Sequence, residues 1–217
     1  MEQDTIDILI PSRRLAIGNA SKTRNRLAQN SKADILVFFD DDVIFTNDTI
    51  HQLTNDMKGD AVSGRYGESP HKNFITQLQN IILMFRFKDS RYVSFINSAC
   101  FAIKRKVFER AGGFNESMNY YEDMELGHRV KNCYINSNAI VIHNKKFTHI
   151  SLLQDYYRKA KVAGLYFRKN PTCEKNLPAP IKLILCIYKK KGLWFTFLSM
   201  FILFEIAIVT IAGLNES

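Results

Sequence analysis

An unbroken apolar run, Ile35–Phe39, is the feature that most restricts the fold of this chain. Five consecutive apolar residues fit a β-strand that is covered on both faces, as strands are in the parallel sheets of α/β proteins. The run ends abruptly in Asp40, Asp41 and Asp42. In open α/β sheets, ligands bind beyond the carboxyl ends of the strands. The sequence therefore predicts a buried strand with an acidic site at its end.

Short apolar runs and helical patterns alternate along most of the chain, which predicts an α/β domain. Predicted strands cover Ile6–Ile10, Ala61–Tyr66, Ala99–Ile103 and Ala139–His143. Predicted helices cover Ala20–Asn30, Asn47–Met57, Phe74–Phe87, Lys104–Ala111 and Tyr121–Lys131, of which Phe74–Phe87 is expected to be core. The 217 residues suffice for one such domain with a short appendage. A hydrophobic content of 46% excludes bulk disorder.

The C-terminal segment Leu193–Leu214 is apolar except for Glu205 and a few hydroxyl groups. About 20 apolar residues span the hydrocarbon core of a bilayer, so residues 192–214 are predicted to form a transmembrane helix. A buried C-terminal helix is the alternative. Residues 179–191 are predicted to be an interfacial amphipathic segment, and residues 1–178 the globular domain. Because Lys189–Lys191 precede the apolar segment, the positive-inside rule predicts a cytoplasmic globular domain.

Three adjacent carboxylates at the end of one strand repel one another unless a cation relieves the repulsion. Oxygen ligands of this kind suit Mg²⁺ or Mn²⁺, which also bind substrate phosphates. Asp40 and Asp42 are two residues apart on extended backbone, so both can point to one ion. An acidic loop without a ligand is the structural alternative, and a phosphatase or nuclease could use the same triplet.

A second acidic pair, Glu122 and Asp123, lies at the predicted start of a helix. Acidic residues are favoured at helix N-termini for dipole reasons alone, so the pair can be a helix-start device. In combination with the Asp triplet it can also be catalytic. A carboxylate could remove a proton from an acceptor while a metal ion holds a leaving diphosphate.

Charge and cysteine content place weaker limits on function. The net charge of +9 favours anionic partners such as acidic lipids or phosphorylated ligands, although a solvated basic surface explains it equally well. No recognised nucleic-acid-binding motif is present. The four cysteines have no CxxC or metal-ligand spacing, which predicts a reducing compartment. The polar, acidic N-terminus does not resemble a signal peptide.

Three segments, in the right order, resemble glycosyltransferase family 2. Asn19–Val43 is similar to the family's "ARN…A…DxD" segment, and Ser98–Val130 is similar to the acceptor-side segment that ends in its ED motif. Ile140–Ala160 resembles the strand, histidine and basic helix that follow in membrane-bound members. The resemblance covers residues 6 to 165. It implies a GT-A-like fold, which is a mixed sheet flanked by helices, with a nucleotide-sugar donor and Mn²⁺ or Mg²⁺.

The resemblance also implies roles for individual acidic residues. Asp40 and Asp42 would be the metal-binding DxD pair, with Asp42 the direct ligand and Asp40 nearer the ribose and diphosphate. Asp123 would be the catalytic base, with Glu122 beside the acceptor.

A further set of residues would face the donor nucleotide. These donor-side residues are Arg24, Asn25, Asp40, Asp41, His143 and Arg158. Two of them have plain alternatives. His143 can be a structural histidine at a strand end, and Arg158 can be a membrane-facing charge.

The N-terminus departs from the family pattern. Family members begin with a strand, a helix and a second strand that carry "PxYN"-like and "DDGS"-like elements, and neither element is visible here. Only Ile6–Pro11 precedes the Arg-Asn segment. The N-terminal strands are therefore expected to be partly missing, which would leave an open apolar sheet edge and an incomplete nucleotide pocket. A partner chain or an N-terminal segment would then be needed to complete donor binding.

The predicted function is that of a membrane-associated, hexosyltransferase-like enzyme. It would transfer a sugar from a nucleotide sugar to a lipid-linked or membrane-proximal acceptor, by inversion and with a metal ion. The predicted partners are the nucleotide sugar, the acceptor and membrane lipids, without nucleic acid. Two alternatives stay open: a non-catalytic, membrane-tethered relative that needs a partner to bind donor, and a metal-dependent phosphoryl-transfer enzyme.

Overall fold

The computed structural model describes residues 4–11, 19–55, 57–169 and 180–215. The chain forms two compact units. The first comprises Met1–Gly67 and Phe87–His143, and the second comprises Glu68–Arg86 and Asn144–Ser217. The predicted boundary between residues 178 and 179 lies outside the described residues, as does Cys173. The predicted division into segments 1–178, 179–191 and 192–214 therefore remains a prediction.

A mixed sheet of seven strands forms the first unit. The strands are β1 (Ile6–Leu9), β2 (Ile35–Phe39), β3 (Val43–Ile44), β4 (Ala61–Tyr66), β5 (Arg91–Val93), β6 (Cys100–Lys104) and β7 (Cys133–His143). Their order is β1-β2-β6-β4-β7-β3, and β5 pairs separately with β7. The pairs β1–β2 and β4–β7 are parallel, and the remaining pairs are antiparallel. The predicted α/β class with a mixed sheet is confirmed.

Eight helices occur in the described residues. They are α1 (Ala20–Asn30), α2 (Asn47–Thr54), α3 (Phe74–Arg86), α4 (Arg105–Arg110), α5 (Glu122–Val130), α6 (His149–Lys169), α7 (Pro180–Lys191) and α8 (Leu193–Asn215). Helix α1 begins where Asn19 accepts a hydrogen bond from the Lys22 amide, and α2 begins at a capping box made by Thr46 and Thr49. Helices α1, α2, α4 and α5 belong to the first unit, and the other four to the second.

The core of the first unit is built on β2, as the apolar run predicted. All five residues of this strand are buried. Its neighbours are β1 on one side and the antiparallel β6 on the other. Phe38 stacks on Phe101 with ring centroids 4.8 Å apart, and Phe114 packs edge-on against both rings. This aromatic cluster fixes the strand whose carboxyl end carries the Asp triplet.

Strand β1 forms one edge of the described sheet, paired on one side with β2. Ile6 and Ile8 on this strand are 44% and 43% exposed. Within the part of the chain that the structure describes, this strand therefore forms the open apolar edge expected from the sequence. Such an edge offers unpaired backbone groups and apolar side chains to another strand.

Several element boundaries differ from the sequence predictions. Strand β7 begins at Cys133 rather than Ala139, because Tyr134 and Ile135 pair with both β4 and β5 despite the polar Asn-Ser-Asn stretch that follows. The pairing with β4 shifts register between Ser63 and Arg65, which accommodates that stretch. The short strands β3 and β5 were not predicted, and α2 ends at Thr54 rather than Met57.

In the second unit, α3 supplies core residues, as predicted. Leu78, Ile81 and Ile82 of α3 pack with Leu183 and Ile187 of α7. Helix α8 is long and apolar enough to cross a membrane, judged by length and composition. Only 17% of its most apolar stretch is buried, whereas the core helix of a soluble protein is mostly buried. The alternative of a buried C-terminal helix is therefore not the arrangement seen.

Candidate functional site

Arg24 joins three elements of the first unit at the carboxyl end of β2. Its Nη2 lies 2.6 Å from Oδ1 of Asp40, and its Nη1 lies 3.1 Å from Oε1 of Glu122. The side chain of Arg24 is only 4% exposed, whereas those of Asp40 and Glu122 are 30% and 11% exposed. The buried face of α1, which includes Ser21 and Ala28, turns Arg24 inward. One cation thus holds a carboxylate from each of the two predicted acidic motifs.

A cleft of about 280 Å³ opens beside this cluster. Its lining residues are Pro11, Ala20, Thr23, Arg24, Asp40, Asp41 and Asp42. The whole Asp triplet therefore faces one concave surface together with Arg24. The prediction that these acidic residues meet at the end of a buried strand is realised in the fold.

The charges of the cluster are not balanced. Burial raises the pKa of Asp40, although Arg24 opposes the shift, and burial with the neighbouring Asp123 raises the pKa of Glu122. Burial tends to lower the pKa of Arg24, but Asp40 and Glu122 outweigh it and the pKa is raised. Among the described residues, more carboxylates than cations share this region, so an additional cation would be stabilised beside them.

His143 lies beside Asp42, because β3 and β7 pair in register. Val43 is opposite His143 in that pairing, and Nε2 of His143 is 3.5 Å from Oδ1 of Asp42. The ring of Tyr66 lies 5.7 Å from the imidazole. The structure therefore places His143 at the same end of the sheet as the Asp triplet.

The described residues contain no group of three or more His, Cys, Asp or Glu side chains arranged as a metal centre. Mg²⁺, however, is often held by one or two carboxylates together with substrate phosphates. Asp42 and Asp40 fit that mode, because both line the cleft, although Asp40 is also bound by Arg24. The donor set is thus compatible with an ion that arrives with a diphosphate.

Asp123 is held at the start of α5 by three donors. The amide and hydroxyl of Ser98 donate to its Oδ2 at 3.3 and 3.0 Å, and the Met124 amide donates to its Oδ1 at 2.8 Å. Ser98 had no role in the sequence analysis. The sequence feature that could have indicated Ser98 is its position as a polar residue just before the apolar strand β6. It is also the first residue of a segment that resembles glycosyltransferase family 2.

Helix α5 closely approaches the segment that joins β5 to β6 through Gly127. A Cβ atom at this position would lie 2.4 Å from Cα of Phe95, which no side chain could tolerate without backbone movement. The residue before the helix, Tyr121, has a left-handed backbone with φ of 63°. This close approach and this turn fix where Glu122 and Asp123 stand.

Asn25 has a different role from its neighbour Arg24. Its Nδ2 donates to the Phe114 carbonyl at 2.9 Å and to Oε1 of Glu116 at 3.0 Å, and its Oδ1 accepts from the Phe114 amide at 2.8 Å. These contacts hold the loop that follows Gly113. The predicted donor contact of Asn25 has no support among them and remains a prediction.

Arg158 lies on α6 in the second unit and is exposed. Its predicted contact with the donor remains a prediction. Within the first unit, the residues that the structure brings together are Arg24, Asp40, Asp41, Asp42, Glu122, Asp123 and His143.

Comparison with known proteins adds independent findings. The family model for glycosyl transferase family 2 matches residues 13–112. The O-antigen chain rhamnosyltransferase WbaN of Salmonella anatum is 28% identical over 182 residues, which cover 73% of this chain and 55% of that protein. The chain thus spans about half the length of this curated relative.

Solved structures show weaker overall likeness. Mannosyltransferase PcManGT from Pyrobaculum calidifontis, in complex with GDP-Man and Mn²⁺, has a TM-score of 0.47 at 16% identity and covers 92% of this chain and 55% of its own. TarS 1–349 of S. aureus in complex with UDP-GlcNAc has a TM-score of 0.47 at 13% identity, covering 68% and 46%. The sequence matches show that residues 13–112 of this chain are similar to glycosyl transferase family 2.

Proposed function

We propose that this chain acts as a glycosyltransferase that moves a sugar from a nucleotide-sugar donor to an acceptor hydroxyl. The observation that carries the proposal is the joining of the two acidic motifs by Arg24, which contacts Asp40 at 2.6 Å and Glu122 at 3.1 Å. This contact supports a single site with a donor side at β2 and an acceptor side at α5.

On the donor side, Asp42 and Asp40 are the proposed holders of Mg²⁺ or Mn²⁺, and Asp41 completes the acidic wall of the cleft. A bound divalent ion would neutralise charge on the leaving diphosphate. Arg24 orients Asp40 through its 2.6 Å contact. His143, next to Asp42, is a further proposed contact of the diphosphate.

On the acceptor side, Asp123 is the proposed general base. Glu122 is less suited to this role, because it is buried and already bound by Arg24. In the proposed step, the acceptor oxygen bonds to the anomeric carbon as its proton passes to the Asp123 carboxylate. The bond from that carbon to the diphosphate oxygen breaks, and the nucleoside diphosphate leaves. A single displacement of this kind inverts the anomeric carbon.

The acceptor is proposed to be a saccharide carried at a membrane, by a lipid or close to its surface. Support comes from the curated relative, whose name describes transfer of rhamnose in an O-antigen chain. Membrane association is further supported by α8. A single crossing with a cytoplasmic catalytic domain, as predicted from the sequence, is one arrangement. The packing of α8 against the second unit favours a different arrangement of this helix at the membrane.

Turnover with nucleotide-sugar donors tests the proposal. Nucleoside diphosphate release should require Mn²⁺ or Mg²⁺, and Asp123→Asn should lower turnover by roughly 10²–10⁴-fold while donor affinity changes little. Asp48→Asn, which alters an exposed carboxylate on α2, is the matched control and should behave as wild type. Undiminished turnover in Asp123→Asn would contradict the assignment of the base. Absence of turnover with every donor and acceptor would favour the non-catalytic alternative.

A further inference from the structure

Helix α8 has two unlike faces. The face turned toward its own unit has Thr196, Ser199, Ile206 and Gly213 as its buried residues. The hydroxyls of Thr196 and Ser199 donate to the carbonyls of Gly192 and Phe195, so they need no other partner. The opposite face carries large exposed apolar side chains. This apolar stripe consists of Trp194, Phe197, Phe201, Phe204, Ile208 and Ile211.

The inward face is held by the second unit along most of the helix. In its first half, Phe195, Ile202 and Leu203 pack against the cluster formed by α3 and α7. Near its end, Gly213 lies against α6, where a Cβ atom would come within 2.7 Å of the Tyr157 carbonyl oxygen. Helix α8 is therefore an integral part of its unit rather than a detached anchor.

The helix that runs beside the C-terminal half of α8 is charged. On α6, Lys159 pairs with Asp155 at 2.7 Å, and Arg158 and Lys161 are exposed. If α8 crossed a bilayer in this packing, these charges would be drawn into the hydrocarbon, where charged groups are strongly disfavoured. Crossing would therefore require α8 to leave α6.

A second polar contact argues in the same direction. Glu205, near the middle of α8, lies 2.6 Å from His149 at the start of α6. Both side chains remain more than two-fifths exposed, at 43% and 44%. A crossing helix would place this half-exposed pair at the centre of the bilayer. A helix lying along the surface would leave the pair within reach of water and headgroups.

We infer that α8 lies along one leaflet of an anionic membrane, with its apolar stripe among the acyl chains, rather than crossing the bilayer. Exposed apolar stripes of this size are covered in the native setting, and interfacial helices bury such a face at the headgroup boundary. Lys189, Lys190 and Lys191 are exposed immediately before α8 and would attract acidic headgroups. Tyr188 and Trp194, also exposed, suit the membrane interface.

The inference concerns attachment and holds whether or not the proposed reaction is correct. Its direct test is the depth of α8 in the bilayer. Trp194 is the only tryptophan of the chain. Its fluorescence can be quenched in vesicles of phosphatidylcholine and phosphatidylglycerol that carry bromine at defined acyl positions. Two further single-tryptophan variants, Trp194→Phe with Phe201→Trp and Trp194→Phe with Ile208→Trp, report from the same stripe.

These three positions are spaced seven residues apart, or about 10 Å along the helix axis. A helix along the leaflet gives the same quenching depth at all three. A crossing helix places position 201 about 10 Å deeper than position 194, and that result would overturn the inference. Vesicle binding without quenching, or no vesicle binding at all, would also overturn it. A second copy or another protein would then be the occupant of the stripe.

A charge series tests the lipid class. Changing Lys189, Lys190 and Lys191 to Gln should weaken binding to the anionic vesicles by roughly fivefold for each lysine. The matched control changes Lys22, Lys32 and Lys131, three exposed lysines of the first unit, to Gln. The control keeps the same net charge as the test variant and should bind as wild type. Equal weakening by both sets, or by neither, would overturn the role of the lysines beside α8.

Discussion

The guanidinium of Arg24 lies 2.6 Å from the carboxylate of Asp40, and this contact joins α1 to the carboxyl end of β2. The same guanidinium reaches Glu122, which is 98 positions away in the sequence. Its Nε atom has no hydrogen-bond partner in the described structure. One buried cation therefore sets the spacing between the proposed donor and acceptor sides.

Loss of Arg24 should be strongly destabilising. Arg24→Ala leaves Asp40 and Glu122 without their shared cation, and removal of one partner from a buried ion pair costs about 3–5 kcal/mol. Urea denaturation gives the free energy of unfolding. Arg26→Ala, at an exposed position on the same helix, should stay within about 0.5 kcal/mol of wild type. Similar stability of the two variants would show that the bridge contributes little.

The Asp triplet should divide into unequal members when metal is tested. Asp42→Asn should weaken Mn²⁺-dependent binding of a nucleoside diphosphate by more than about tenfold. Loss of a residue that only hydrogen-bonds to a metal ligand already weakens metal binding by about tenfold or more, so loss of the ligand itself should cost at least as much. Asp41→Asn, at a more exposed position of the same cleft, should weaken binding less. Calorimetric titration with and without Mn²⁺ measures both. If Asp41→Asn proved the more damaging change, the roles of these two residues would be exchanged.

Ser98 should act as a positioning residue for Asp123. Ser98→Ala removes the 3.0 Å hydroxyl contact to Oδ2 and leaves the amide contact in place. A hydrogen bond to a charged group contributes about 1.5–3 kcal/mol, so kcat should fall roughly tenfold or more while KM changes little. Ser98→Thr retains the hydroxyl and should restore kcat. A change confined to KM, or no rescue by threonine, would argue against positioning.

The raised pKa of Glu122 makes stability depend on pH. The folded protein holds a proton at Glu122 more tightly than the unfolded chain, chiefly because the side chain is buried and secondly because Asp123 is adjacent. The stabilising effect is complete below the unfolded pKa of about 4.3 and is lost as pH rises through the folded pKa.

Glu122→Gln removes that dependence. The free energy of unfolding of wild type should therefore fall relative to Glu122→Gln as pH increases from below 4 toward neutrality. Urea denaturation across this range measures the difference. A constant difference between the two proteins would show that the pKa of Glu122 is the same in the folded and unfolded states.

Local pattern predicted several elements well, because each prediction needed only neighbouring residues. The apolar run Ile35–Phe39 became a buried strand, and Glu122 became the first residue of α5. Prediction failed where pairing outweighed composition. The polar half of β7 is a strand because Tyr134 and Ile135 have partners on both sides, and nothing in its own sequence indicates that.

The candidate site shows the same division. Its acidic residues were evident from spacing and family resemblance, but their partners were not. Ser98 had no assigned role until the fold placed it against Asp123, and the contacts of Asn25 with Phe114 were not predicted. Adjacent residues of a helix point about 100° apart, so Arg24 and Asn25 serve different surfaces.

The sequence by itself determined where the buried strand ends in carboxylates, where α5 begins and that α8 is apolar, because composition and periodicity are local properties. Only the tertiary structure decided that Arg24 binds both Asp40 and Glu122, and that α8 packs one face on its own unit and presents an apolar stripe outward. Side chains about 100 residues apart meet only when strand order and helix packing bring them together. No local pattern encodes those distances.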